Sequence, residues 1–166
     1  MFHLYWIERA LDYLGIAQLH DLRFCKPWVC QLATRMLLIH AGCMRGCEHR
    51  DGCRVSDIVE FTPSHVLFEI AARHSAKKLK LMPSRKVILA VYEHRTSPGA
   101  AMRIYYERFF SGATPSTKLF ARISQHGELH PTLHSTDRQF IKAIRIVVAR
   151  CGMPRGGGRP ASFPIF

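Results

Sequence analysis

Carboxylates are scarce over most of this chain. Residues 70–166 hold only Glu93, Glu107, Glu128 and Asp137 against 17 Lys and Arg, a surplus of +13, whereas residues 1–69 carry 8 acidic groups against 7 basic ones. With no close pair of carboxylates in its basic part, the chain lacks the arrangement that paired acid/base chemistry needs. The G-x-S-x-G, H-E-x-x-H and P-loop signatures are missing as well. C-x-x-C is also absent, and with it the dithiol chemistry that needs a low-pKa cysteine at a helix start. These gaps predict a protein that is not an enzyme. No run of ~18 uncharged apolar residues occurs, so no bilayer-spanning helix is expected. The start, MFHLYWIERALDYLGIAQLH, has no basic stretch followed by an apolar one, which argues against secretion. Glu8, Asp12 and Asp21 also interrupt any Arg-rich transit pattern there.

What is present supports a folded domain. The chain has 166 residues, 48% of them hydrophobic, enough for one core with a helical appendage. Its surplus of positive charge repels itself in a compact state, and a polyanion such as nucleic acid would neutralise it in place.

Leu4, Ile7, Leu11 and Leu14 share one helical face, and Gly15 follows where a helix would stop. After Lys26-Pro27, the residues Val29, Leu32, Ala33, Met36 and Leu37 repeat the pattern up to Gly42, which predicts a helical hairpin. Residues 42–54 read as a Gly-containing loop. Phe61, Thr62 as N-cap, Pro63 and Val66 fit a hydrophobic staple, so a third helix is expected through Leu67, Ile70, Ala71 and His74. Val87 to Tyr92 form a β-branched apolar run such as a buried central strand shows. The turn Thr96 to Gly99 then leads into a helix through Ala101, Ile104, Tyr105, Arg108 and Phe109, ending near Gly112. Residues 118–124 and 129–134 read as strands that could pair across His126-Gly127. Between Asp137 and Gly152 the pattern favours a helix, although Ile144 to Val148 would also suit a strand. The Gly- and Pro-rich end is expected to be extended.

Candidate chemistry lies in clusters of cysteine, basic and histidine residues. Cys43, Cys47 and Cys53, with His49 between them, have the composition of a structural zinc site, although only Cys43 and Cys47 have the usual spacing. Free thiols in a reducing compartment are the simpler reading. Lys77, Lys78, Lys80, Arg85 and Lys86 cluster around a proline break, and Arg155 and Arg159 flank three glycines; both groups are candidates for phosphate backbones. His126, His130 and His134 recur every fourth residue, but Gly127 and Pro131 argue against a helix that would align them.

The stretches KVILAVYEHRTSPGAAMRIYYERFF (86–110) and KLFARISQHGELHP (118–131) resemble the thioredoxin-like family shared by certain mitochondrial ribosomal proteins and a small matrix-arm accessory subunit of respiratory complex I. The resemblance covers roughly 60 residues. It implies a strand at Val87–Tyr92, a small-residue turn at Ser97-Pro98-Gly99, and a helix bearing Arg103, Tyr105 and Phe109, with Arg103 on the RNA.

Together these readings predict an α/β protein. A helical N-terminal extension (1–82) would precede a small thioredoxin-like mixed sheet with flanking helices (83–152) and an extended tail (153–166). The resemblance implies a structural role in the mitochondrial matrix. The chain would bind ribosomal RNA and ribosomal proteins or, alternatively, complex I subunits, with no cofactor beyond a structural zinc. Charge suggests RNA contacts on the basic part and protein contacts on the near-neutral extension.

Overall fold

In the computed structural model, residues 4–41, 53–74, 81–134 and 137–152 are described. The first helix, α1 (Leu4–Tyr13), buries Ile7, Ala10 and Leu11, the i, i+3, i+4 set of an amphipathic stripe. A short 3-10 turn (Leu19–Arg23) leads to α2 (Pro27–His40), where Pro27 occupies the first helical position, at which its missing N–H costs nothing. Every residue of α2 from Val29 to Ile39 is buried, so this helix is central rather than half-solvated. Arg35 is taken in with it. Its guanidinium carbon lies 3.8 Å from the ring centre of Phe140 and 5.3 Å from that of Phe120.

A second 3-10 turn (Val55–Asp57) opens the sheet region. β1 (Ile58–Phe61), β2 (His65–Ile70) and β5 (Arg85–Ala90) form an antiparallel sheet in the order β1-β2-β5, with the short pair β3 (Arg73–His74) and β4 (Leu81–Met82) between β2 and β5 in the chain. The helix expected from Thr62 to His74 is therefore a hairpin arm. Val66, Phe68 and Ile70 are buried in alternation, the period of 2 that a strand requires. Thr62 caps no helix. Its Oγ1 accepts from the backbone N–H of Ser64 at 3.3 Å and of His65 at 3.0 Å, which closes the β1–β2 turn. The sheet also crosses the division expected at residue 83, because β2 pairs with β5 along its whole length, with Phe68 opposite Val87 and Val66 opposite Leu89.

β5 lies at the sheet's edge rather than its centre, and because only one face of the sheet is covered, Val87 and Leu89 are buried while Ile88 is 65% exposed. The chain then turns into α3 (Pro98–Phe109), whose N-cap Ser97 accepts from the N–H of Ala100. α3 packs on β2, β5 and α2. Gly99 makes that approach possible, since a Cβ there would lie 2.6 Å from Val91 Cγ2 and 2.7 Å from the carbonyl oxygens of Leu89 and Ala90.

β6 (Ala121–Ile123) and β7 (Leu129–His134) form the hairpin read from the sequence, although β6 is shorter than residues 118–124. The last element is helical: α4 (Asp137–Arg150) buries Phe140, Ile144, Val147 and Val148. The class is α/β, with four α-helices among the described residues. In place of one mixed sheet, those residues form three separate sheets, and every pairing in them is antiparallel. No helix among them is long and apolar enough to cross a membrane.

Candidate nucleic-acid interface

The start of α2, the β6–β7 hairpin and α4 enclose a cleft of about 690 Å³. Trp28, the second residue of α2, is 53% exposed and stands at its wall, because the buried side of the helix begins only at Val29. From the hairpin come Arg122 and His130, which face each other across the β6–β7 register, together with Ser124 and Gln125 of the turn. Gly127, at φ 83°, supplies the left-handed residue that this turn needs. Ser124 braces the turn, its Oγ accepting from the N–H groups of His126 at 3.2 Å and Glu128 at 3.1 Å. α4 adds Phe140 and Ala143, and carries the exposed residues Lys142 and Arg145 on its outward side.

A buried network holds the cleft's two sides in register. Gln31 of α2 donates from Nε2 to the Ala121 carbonyl at 2.7 Å and to Tyr105 Oη at 3.0 Å, and Tyr105 donates to the Leu119 carbonyl at 2.6 Å. Burial pushes the Tyr105 phenol well above its ordinary pKa, so it stays a donor. Arg35 also lines the cleft, and no carboxylate does so among the described residues. An exposed indole in a cleft that also carries the exposed Arg122, an imidazole, an amide and a hydroxyl can hold a flat ring and an anionic group together.

The candidate residues named from sequence are divided by the fold. Lys77, Lys78, Lys80, Arg155, Arg159, Cys43, Cys47 and His49 lie outside the described residues. Arg85 and Lys86 begin β5, on a different sheet from Arg122, and Lys86 Nζ sits 3.5 Å from Glu69 Oε1 across the β2–β5 pair. Arg103 donates to the Thr62 carbonyl, tying α3 to the β1–β2 turn. Cys53 is 4% exposed, and its carbonyl accepts from the N–H of Leu119. Among the described residues no group of three or more His, Cys, Asp or Glu could hold a metal ion.

Trp28, Arg122, Lys142 and Arg145 were not singled out by sequence. Arg122 is exposed directly after the buried run Leu119, Phe120 and Ala121, and no period-2 pattern in the sequence marks it as outward-facing.

What fold and cleft define together is an α/β domain with a cationic, aromatic-walled groove. No protein-family model matches the chain, and no curated protein matches it either.

Proposed function

We propose that this chain is a nucleic-acid-binding domain that works within a larger assembly and engages phosphates and bases at the cleft between α2, β6–β7 and α4. The observation that carries this reading is the lining of that cleft, to which Trp28, Arg122 and His130 all contribute and no carboxylate does among the described residues. The surplus of +13 over residues 70–166 supplies a favourable field around it. An unpaired base stacked on an aromatic side chain contributes about 1–3 kcal/mol, and each phosphate neutralised adds a salt-dependent increment.

The assembly that the family resemblance implies is the mitochondrial ribosome, with this chain as a structural, RNA-binding component. The run of β5 through Ser97-Pro98 into α3 fits the thioredoxin-like reading. The antiparallel β1-β2-β5 sheet lends it no support, so the proposal rests on the cleft's chemistry first.

The test is fluorescence anisotropy of the full chain with labelled single-stranded RNA, single-stranded DNA and duplex DNA over a range of salt. Arg122→Ala is expected to lower the slope of log K against log salt by about 0.7–0.9. Trp28→Ala should weaken single-strand binding by about 1–3 kcal/mol with the slope unchanged. Lys86→Ala, whose ammonium already faces Glu69, should change little. Salt-independent binding, or equal losses in all three variants, would refute the cleft as the site. Sedimentation of mitochondrial extracts addresses the assembly: co-migration with respiratory complex I after RNase treatment would exclude the ribosomal reading.

A further inference from the structure

The start of α2 brings together two thiols and a guanidinium. Cys25 stands one residue before the N-cap Lys26, and Cys30 is the fourth residue of the helix. Those two positions meet in a hydrophobic staple, so the helix geometry itself turns their side chains toward one another. Arg108 reaches across from α3: its Nη1 lies 3.6 Å from Cys25 Sγ and donates to the Leu22 carbonyl at 2.8 Å, while Nη2 donates to the Cys25 carbonyl. Cys25 is half-buried and Cys30 fully buried. On α3 the next charged neighbour, Glu107, is engaged by Arg23 at 3.1 Å, which leaves Arg108 as the charge facing the Cys25 sulfur.

We propose that Cys25 and Cys30 are a redox-active dithiol, converted to an intramolecular disulfide by a low-molecular-weight disulfide such as glutathione disulfide. The Cys25 thiolate attacks one sulfur of the reagent, breaks its S–S bond and expels one thiolate. Cys30 then gives its proton to that thiolate and attacks Cys25 Sγ, forming the Cys25–Cys30 bond and releasing the second thiolate, which takes up a proton from solvent. The protein loses two electrons, and the small disulfide gains them as two thiols.

The electrostatics fit this division of roles. The Cys30 thiol beside it, and then Arg108, pull the pKa of Cys25 down to about 7, while its partner and burial push Cys30 up. The attacking thiol is thus the more exposed, more acidic one, and the resolving thiol waits behind it. C-x-x-C is absent, and the two thiols at this helix start have the longer spacing C-x-x-x-x-C. Trp28 lies between the two cysteines in the chain, so the disulfide would fix the turn that carries the cleft's aromatic wall. The thiol chemistry stands whether or not that cleft binds nucleic acid.

The experiment treats the full reduced chain with glutathione disulfide, blocks remaining thiols at intervals and maps all six cysteines by peptide mass. The expected result is early loss of two hydrogens confined to the peptides of Cys25 and Cys30. Cys30→Ser, or Cys30→Ala if the serine variant does not fold, should stop at a glutathione adduct on Cys25, and Cys25→Ser should leave Cys30 unmodified. Alkylation of wild-type Cys25 by iodoacetamide should reach half its limiting rate near pH 7. Adducts spread over the cysteines, an adduct on wild-type Cys25 that Cys30 never resolves, or an alkylation midpoint near the ordinary thiol value of about 8.5 would overturn the proposal.

Discussion

Removing one oxygen atom, by Tyr105→Phe, tests whether the buried network organises the cleft. The ring should keep its place, since it packs on Phe109, Phe110 and Phe120 with centroids 5.3–5.8 Å away and the hydroxyl adds nothing to those contacts. Two hydrogen bonds disappear, one to the Leu119 carbonyl and one from Gln31. A buried carbonyl deprived of its donor costs about 1–3 kcal/mol; Gln31 retains its bond to Ala121 and adds less than about 1. The total expected loss is about 1–4 kcal/mol in urea unfolding, or roughly 3–12 °C in Tm. Because the bonds lost connect α3, α2 and the approach to β6, nucleic-acid affinity should fall with it although Tyr105 itself is fully buried. High pH gives an independent arm. The folded chain holds the Tyr105 proton that the unfolded chain releases above pH about 10, so this contribution is intact below that pH. It is lost as pH rises further, by up to about 1.4 kcal/mol per pH unit, and the Phe variant should lack that part of the decline. A loss below about 0.5 kcal/mol, or identical alkaline slopes in the two proteins, would refute the reasoning.

Two further substitutions probe how the elements are joined. Gly99→Ala forces a methyl group against two carbonyl oxygens that cannot rotate aside, and should cost about 1–3 kcal/mol in denaturant unfolding; a neutral result would mean that α3 shifts freely on β5. Arg95→Met removes a donor to the Ile16 carbonyl at 2.9 Å and to Asp12 Oδ1 at 2.5 Å. Asp12 is 63% exposed, so solvent screens the ion pair and most of an expected loss of about 1–2 kcal/mol belongs to the carbonyl bond. That loss should persist at high salt, and its disappearance there would assign it to charge instead.

The helices were legible where local chemistry had one reading. Lys26-Pro27 and Ser97-Pro98 each open a helix where proline is tolerated, and nothing near them offers an alternative. Residues 61–70 were not legible, because Thr-Pro-Ser begins a helix or closes a hairpin equally well. In the short run His65–Ile70 the buried set Val66, Phe68 and Ile70 overlaps the helical set Val66, Leu67 and Ile70 at two of three positions. Pairing with β5 decided it, a contact reaching across the intervening β3 and β4. The one-sided burial of β5 was hidden for a related reason: Val87 to Tyr92 reads as continuously apolar, yet only alternate residues along the strand face the core.

The cleft is harder still to read, since its parts lie roughly a hundred residues apart in the chain and only tertiary packing brings Trp28, Arg122 and His130 to one cleft. Charge counting marks a stretch and not a surface, and the two parts it distinguishes are joined by ion pairs in the fold. Arg95 pairs with Asp12 and Lys86 with Glu69, so the near-neutral first part supplies carboxylates to cations of the basic part. Arg103 and Arg108 behave differently. Both donate to backbone carbonyls, of Thr62 and of Leu22 and Cys25, neutral acceptors that do not cancel their charge. Arg35, buried on α2, stacks on Phe140 at the edge of the cleft. A side chain can therefore be structural by its contacts and still feed the field that draws a polyanion, so the cations that create the potential need not be those that touch the ligand. That is why Arg122 and Trp28, rather than the densest run of lysines, are the residues whose removal should discriminate a built site from general attraction.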